Sequence, residues 1–199
     1  MTRAKLRRFL VLLPLAGAIV LLAALPSPES APERPSSYGA VGPFSLTAPD
    51  GRTVTLADFK GKVWVAYNFF TSCTTSCPLT TLKAAQLVKE FGGRADFRVV
   101  GLTVDPAHDT PPTLAAFATS AKADPARWTF LTGDPAALRQ VDEAYFRVGF
   151  DGPREAAHGG HSGLFVLVGR DARIKGVYPG SDATAFGRLK HDIQALYAE

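Results

Sequence analysis

Apolar and polar positions divide this chain into recognisable elements. The run Val63 to Phe70 is β-branched and aromatic, interrupted only by Asn68. Its continuous apolar character predicts a strand buried on both faces. Leu79 to Phe91 follows with helical spacing, and Pro78 suits the first turn of that helix, where a missing N–H costs little. Upstream, Phe44 to Thr47 and Arg52 to Thr55 alternate around Pro49, Asp50 and Gly51, which predicts a β-hairpin. Leu56 to Phe59 reads as a short helical turn. Downstream, Phe97 to Val104 predicts a strand, Pro111 to about Ala121 a helix capped by Asp109 or Thr110, and Trp128 to Leu131 a short strand. Asp134 and Pro135 open a helix reaching about Phe146. After a polar, Gly-containing loop from Gly149 to Gly160, Leu164–Val168 and Ile174–Tyr178 form a second hairpin. Asp182 to Tyr197 closes the chain as a helix. Strands alternating with helices, then a hairpin, predict an α/β fold with a mixed central sheet.

The amino-terminal pattern is different. Arg3, Lys5, Arg7 and Arg8 precede an uncharged apolar run from Phe9 to Leu25. That order is expected of an export signal or a membrane anchor at residues 1–25. The basic flank would stay in the cytoplasm and the rest of the chain would face outside. There is no clean small-x-small cleavage site before Pro26, so an uncleaved anchor is expected. Residues 26–42, rich in Pro, Ser, Ala and Gly, read as a linker. Residues 43–199 are long enough for one domain with a substantial core.

Charge changes the picture little beyond this. The 22 Lys and Arg exceed the 18 Asp and Glu by four. The first eight residues hold four of those cations and no acid, leaving 18 against 18 in the remainder. The balance therefore predicts no basic face that would recommend a nucleic-acid partner.

The candidate chemistry lies in Cys73 and Cys77, the only two cysteines, between the buried strand and the helix. Strand, cysteine loop, helix is how a thioredoxin-like fold presents sulfur at a helix N-terminus, where the dipole favours the thiolate. A disulfide here would close a very short loop and restrict the unfolded chain little, so a structural staple is a poor reading. A redox dithiol and a soft-metal site both remain. If the helix begins near Thr74, the sulfurs stand one turn apart on one face. Two thiolates and an imidazole suit three-coordinate Cu(I). A peroxidase of the peroxiredoxin type wants Pro and Thr seven and three residues before the cysteine. Cys73 has Ala66 and Phe70 there, and Cys77 has Phe70 and Thr74.

From about Gly42 to Ala198 the chain resembles the Sco/SenC family of thioredoxin-fold copper proteins. The resemblance rests on PFSLT (43–47), DFKGK (58–62), FTSCTTSCP (70–78), TVDPAHDTP (103–111), LTG (131–133), and His161 with Ser162 ahead of the last hairpin. It implies a thioredoxin-like three-layer sandwich with an added N-terminal β-hairpin. It implies copper, Cu(I) or Cu(II), held by Cys73, Cys77 and His161. Asp105, whose counterpart in the family lies near the metal, and His158 are secondary candidates. The implied function is a membrane-tethered copper chaperone that delivers copper to, or prepares, the binuclear copper site of cytochrome c oxidase. The partner would be that copper-site subunit or another copper-handling protein. The implied location is the inner membrane, with the domain in the periplasm. The alternative is a periplasmic thiol–disulfide oxidoreductase acting on a copper-site partner's cysteines; as an enzyme the protein would have at most that reductase activity. The family pattern changes in three places. Thr74 stands where a Pro usually follows the first cysteine, Gly159 and Gly160 replace the Val-Asp before the histidine, and His108 replaces an Arg.

Overall fold

The protein is described by a computed structural model that covers residues 38–74, 77–146 and 163–198, with the backbone alone for 145 and 146. The expected anchor, the linker to residue 37, and both His158 and His161 lie outside the described residues. Ser36–Glu199 forms one compact unit.

The sheet follows the apolar pattern closely. A two-stranded antiparallel hairpin, β1 (Ser45–Thr47) and β2 (Thr53–Thr55), leads through a 3-10 turn at Leu56–Phe59 into β3 (Val63–Phe69). All seven residues of β3 are buried, as an unbroken apolar run requires. Then come α1 (Cys77–Phe91), β4 (Phe97–Thr103), α2 (Pro111–Ser120), β5 (Trp128–Leu131), α3 (Pro135–Val141), β6 (Leu164–Val168), β7 (Ile174–Pro179) and α4 (Ala183–Ala195). The five-stranded sheet has the order β5-β4-β3-β6-β7. β3, β4 and β5 are parallel, while β6 and β7 run antiparallel, so the sheet is mixed as expected.

Two cores flank the sheet and make three layers. On one face Val65, Tyr67 and Phe69 pack with Leu87 of α1, Leu114 of α2 and Leu189 of α4. On the other, Trp64, Ala66 and Val100 pack with Leu46 and Val54 of the hairpin and Leu138 of α3. The buried positions of α1 are Cys77, Thr80, Ala84, Leu87 and Phe91, a stripe at helical spacing. Among the described residues, Cys77 thus opens both the helix and its buried face.

Two helix expectations need correction. Thr110 occupies the cap position of α2 but its side chain makes no cap bond, and Asp109 is committed elsewhere. The helix opened by Asp134 is α-helical only to Val141 and continues as a π-type turn, Asp142–Phe146. That turn is tied to the sheet through Asn68 Nδ2, which donates to Asp142 Oδ1 at 2.5 Å.

The charge balance also conceals an arrangement. The loops before β3, β4 and β5 and the β6–β7 turn share one end of the sheet. They carry Lys60, Lys62, Arg94, Lys122, Arg127, Arg170 and Arg173 against Asp96, Asp124 and Asp171. The described loops at the other end, 70–74, 104–110, 132–134 and 180–182, carry Asp105, Asp109, Asp134 and Asp182 and no Lys or Arg. A neutral sum does not give a neutral surface, and one end of the domain is basic.

Candidate metal centre

The in-register pairing of β3 with β4 sets Phe69 beside Thr103. The two following loops therefore leave the sheet side by side, and Val104 N–H donates to the Phe69 carbonyl at 3.0 Å. The first loop carries the cysteines and the second runs from Val104 to Thr110.

Cys73 is not on the helix. It sits in the loop, with its N–H bonded to the Phe70 carbonyl at 3.2 Å, and it is half-buried. Thr74 is not helical and α1 is described from Cys77, so the one-turn helical pair expected from a start near Thr74 is not formed. The sulfurs meet another way. The N–H of Cys77, at the first turn of α1, donates to Cys73 Sγ at 3.4 Å. An unpaired helix N–H therefore serves the first sulfur rather than the second, and it favours negative charge there.

Cys77 itself does not behave as the dipole argument predicts. Burial pushes its thiol up to about 12, and a hydrogen bond with Cys73 and the negative charges of Cys73 and Asp109 push the same way. A hydrogen bond to the Phe70 backbone opposes these only in part. Desolvation outweighs the helix terminus because the charged form must exist in an apolar setting. The two cysteines are thus unequal: Cys73 is accessible and receives an N–H, whereas Cys77 is a buried neutral thiol. Neither is in a disulfide.

The second loop contains the residue that sequence reasoning missed. Asp109 is 1% exposed. Its carboxylate accepts from Thr71 N–H at 3.2 and 3.3 Å, from Thr71 Oγ1 at 2.5 Å and from Thr103 Oγ1 at 2.5 Å. Asp109 therefore joins the start of the cysteine loop to the end of β4. The sequence signal was present in the threonines at the exits of two adjacent strands, Thr71 just after β3 and Thr103 at the end of β4, but an Asp two residues before a proline-initiated helix reads equally well as a cap.

Asp105, the secondary candidate, turns to His108 instead. Its carboxylate oxygens lie 2.8 and 2.9 Å from His108 Nδ1. His108 is largely exposed, and the hydrogen bond and charge of Asp105 raise its pKa above the usual 6.5. A raised folded pKa means that the pair's contribution is fully present below pH 6.5 and is lost as pH rises through the folded pKa. An NMR titration of the His108 ring is expected to show a midpoint above 6.5 that falls back to about 6.5 in Asp105→Asn.

Among the described residues no three His, Cys, Asp or Glu side chains converge to hold a metal. The donors brought together are the two sulfurs. β6 begins at Leu164 beside the cysteine end of β3, with Phe165 opposite Tyr67, so Gly163 stands at that end too. Two sulfurs of unequal exposure fit a soft, monovalent cation better than a hard one.

The comparisons agree with this fold. The SCO1/SenC family model matches residues 32–197. The SCO1 protein homolog of Bacillus subtilis (strain 168) is 31% identical over 157 residues, 78% of this chain and 81% of that protein. The chain spans only 34% and 45% of the length of two mitochondrial SCO1 homologs, from Arabidopsis thaliana and Homo sapiens. A solved structure of BsSco, described as having a disulfide switch and as a member of the Sco family of cytochrome c oxidase assembly proteins, aligns with TM-score 0.68 at 30% identity. The alignment covers 82% of this chain and 96% of that one. The structure of Bradyrhizobium japonicum ScoI with copper bound aligns with TM-score 0.60 at 27% identity, covering 76% of this chain and 98% of that one. With a family model matched over most of its length and a cysteine pair at the end of the central strand, the chain belongs to the SCO1/SenC family.

Proposed function

We propose that this protein is a membrane-tethered copper chaperone serving the binuclear copper site of cytochrome c oxidase. The observation that carries the proposal is the pair of sulfurs at the end of β3, neither in a disulfide, joined by the Cys77 N–H to Cys73 Sγ hydrogen bond. The copper held by the Bradyrhizobium relative and the assembly role stated for BsSco support it. The apolar run behind a basic flank at residues 3–25 supports a single anchor with the domain on the outer side of the inner membrane.

Copper is the cargo. Cys73, the accessible sulfur, meets Cu(I) first. Cys77 then gives up its thiol proton to become the second ligand, so capture releases a proton and affinity rises with pH. His161 completes the set with an imidazole nitrogen. Release follows by ligand exchange onto the acceptor. Oxidation of the dithiol to a Cys73–Cys77 disulfide, with loss of two protons and two electrons to an oxidant, removes both sulfurs as donors. Copper loading and thiol redox state are thereby linked.

The test is an anaerobic Cu(I) titration of the reduced domain from Ser36 against a competing chelator. One tightly bound copper per chain is expected. Cys73→Ser and Cys77→Ser should weaken it by more than about 100-fold, beyond what losing an outer-shell partner costs a metal site. His161→Ala should weaken it measurably, and raising the pH should strengthen it. Absence of tight binding, or binding indifferent to His161, would overturn the chaperone reading and leave a thiol–disulfide oxidoreductase to be measured by its reduction potential.

A further inference from the structure

We propose that the basic end of the domain is a docking face for anionic lipid headgroups, which holds the cysteine end away from the bilayer. The proposal rests on the anchoring reading above. Its own support is the segregation of charge along the sheet axis: among the described residues, seven Lys and Arg stand against three Asp in the basic-end loops, and four Asp with no Lys or Arg in the loops at the other end.

Arg98 and Arg127 both donate to one acceptor, the Ala95 carbonyl, at 2.8 and 3.0 Å. Among the described residues neither has a carboxylate within ion-pair distance. Burial disfavours the charge of Lys62, and Arg98 and Arg52 add to this against the opposing pull of Asp58. Such a concentration of like charge costs the isolated domain energy, and an anionic surface would relieve it. Arg170 pairs with Asp96 at 2.8 Å, and both Arg170 and Arg94 stack on Tyr197, at 4.7 and 4.0 Å.

The chain also enters the domain at this end. Tyr38 N–H donates to the Ile174 carbonyl at 3.0 Å, and Val41 N–H to the Ala172 carbonyl at 2.8 Å, both beside the β6–β7 turn. Only residues 26–37 separate that entry from the apolar run. Twelve residues reach at most about 40 Å fully extended. A surface held within that distance is presented at high effective concentration, so contacts that are weak singly suffice. Each Lys or Arg near an anionic leaflet contributes modestly and is screened by salt.

The test uses the full-length protein reconstituted into vesicles of phosphatidylcholine alone and into vesicles that also contain phosphatidylglycerol. Amide exchange is followed in the loops 92–96 and 121–127 at the basic end and in 104–110 at the cysteine end. Protection of at least about fivefold, the worth of one such charge, is expected in the first two loops on the anionic vesicles only. It should vanish at high salt and in the triple variant Lys60→Glu, Lys122→Glu, Arg127→Glu, which should keep its Cu(I) affinity because the cysteines are at the other end. Equal exchange on the two lipids, or protection that survives salt and charge reversal, overturns the docking. Flotation with phosphatidylcholine vesicles reads the anchor separately. A chain that fails to float overturns the anchoring reading, and one that floats without lipid-dependent protection overturns the docking alone.

Discussion

Asp109→Ala is expected to destabilise the domain by about 2–4 kcal/mol and to weaken copper capture as well. Hydrogen bonds to a charged group contribute about 1.5–3 kcal/mol, and leaving their buried partners unmet costs more than the bonds were worth. Here one carboxylate serves the Thr71 N–H, the Thr71 hydroxyl and the Thr103 hydroxyl. Removing it strands donors at the exit of two adjacent strands. The Thr103 hydroxyl retains one contact, because it also accepts from Asp105 N–H at 2.9 Å. The larger consequence is for the loop. Thr71 is two residues from Cys73, and without Asp109 the loop is held mainly by Cys73 N–H to Phe70 carbonyl. Asp109→Asn keeps one acceptor oxygen and the shape, so it should cost about half as much. Urea denaturation gives the stability, and the chelator titration gives the affinity. A wild-type stability for Asp109→Ala would show that the carboxylate is dispensable.

The sheet and its helices were legible in the sequence because their signals are periodic. β5 runs from Trp128 to Leu131 as the apolar pattern indicated, and Asp134 caps the next helix by accepting from Ala136 and Ala137 N–H. β3 was readable because a run without polar alternation has one stable fate, burial on both faces. The position of Cys73 was not readable. Whether Thr74 joins the helix depends on which N–H groups find partners, and here the Cys73 sulfur takes that of Cys77. Asp109 was hidden for a related reason. Its type and position satisfy a cap, and only the pairing of β3 with β4 brings Thr71 within its reach.

The segregated charge was illegible for a different reason. Residue counts add charges without regard to place, while the topology sends the loops before the parallel strands to one end and those after them to the other. The same separation leaves acidic groups around the cysteines. Asp109 contributes to holding Cys77 as a thiol, and Asp105 is paired with His108.

The second large effect is expected below the site, where β3 ends. Phe69 is fully buried and contacts three rings: Phe130 edge-on at 5.1 Å, Phe117 stacked at 5.2 Å and Tyr67 at 6.1 Å. Phe69→Ala should cost about 3–5 kcal/mol through lost burial and the cavity left behind. Gly101, on the neighbouring strand, shows how tightly this space is filled. A Cβ there would meet Phe130 Cδ1 at 2.8 Å and Phe69 Cε1 and Cδ1 at 3.0 and 3.1 Å. Gly101→Ala should therefore cost about 1–3 kcal/mol by overpacking. The double variant should be less damaging than the sum, because removing the Phe69 ring vacates two of those three contacts while Phe130 still opposes the third. Such coupling between touching residues is typically about 0.5–3 kcal/mol. Urea denaturation of the four proteins in the cycle measures it. Strict additivity would mean that the backbone of β4, rather than the aromatic ring of β3, absorbs the added methyl group.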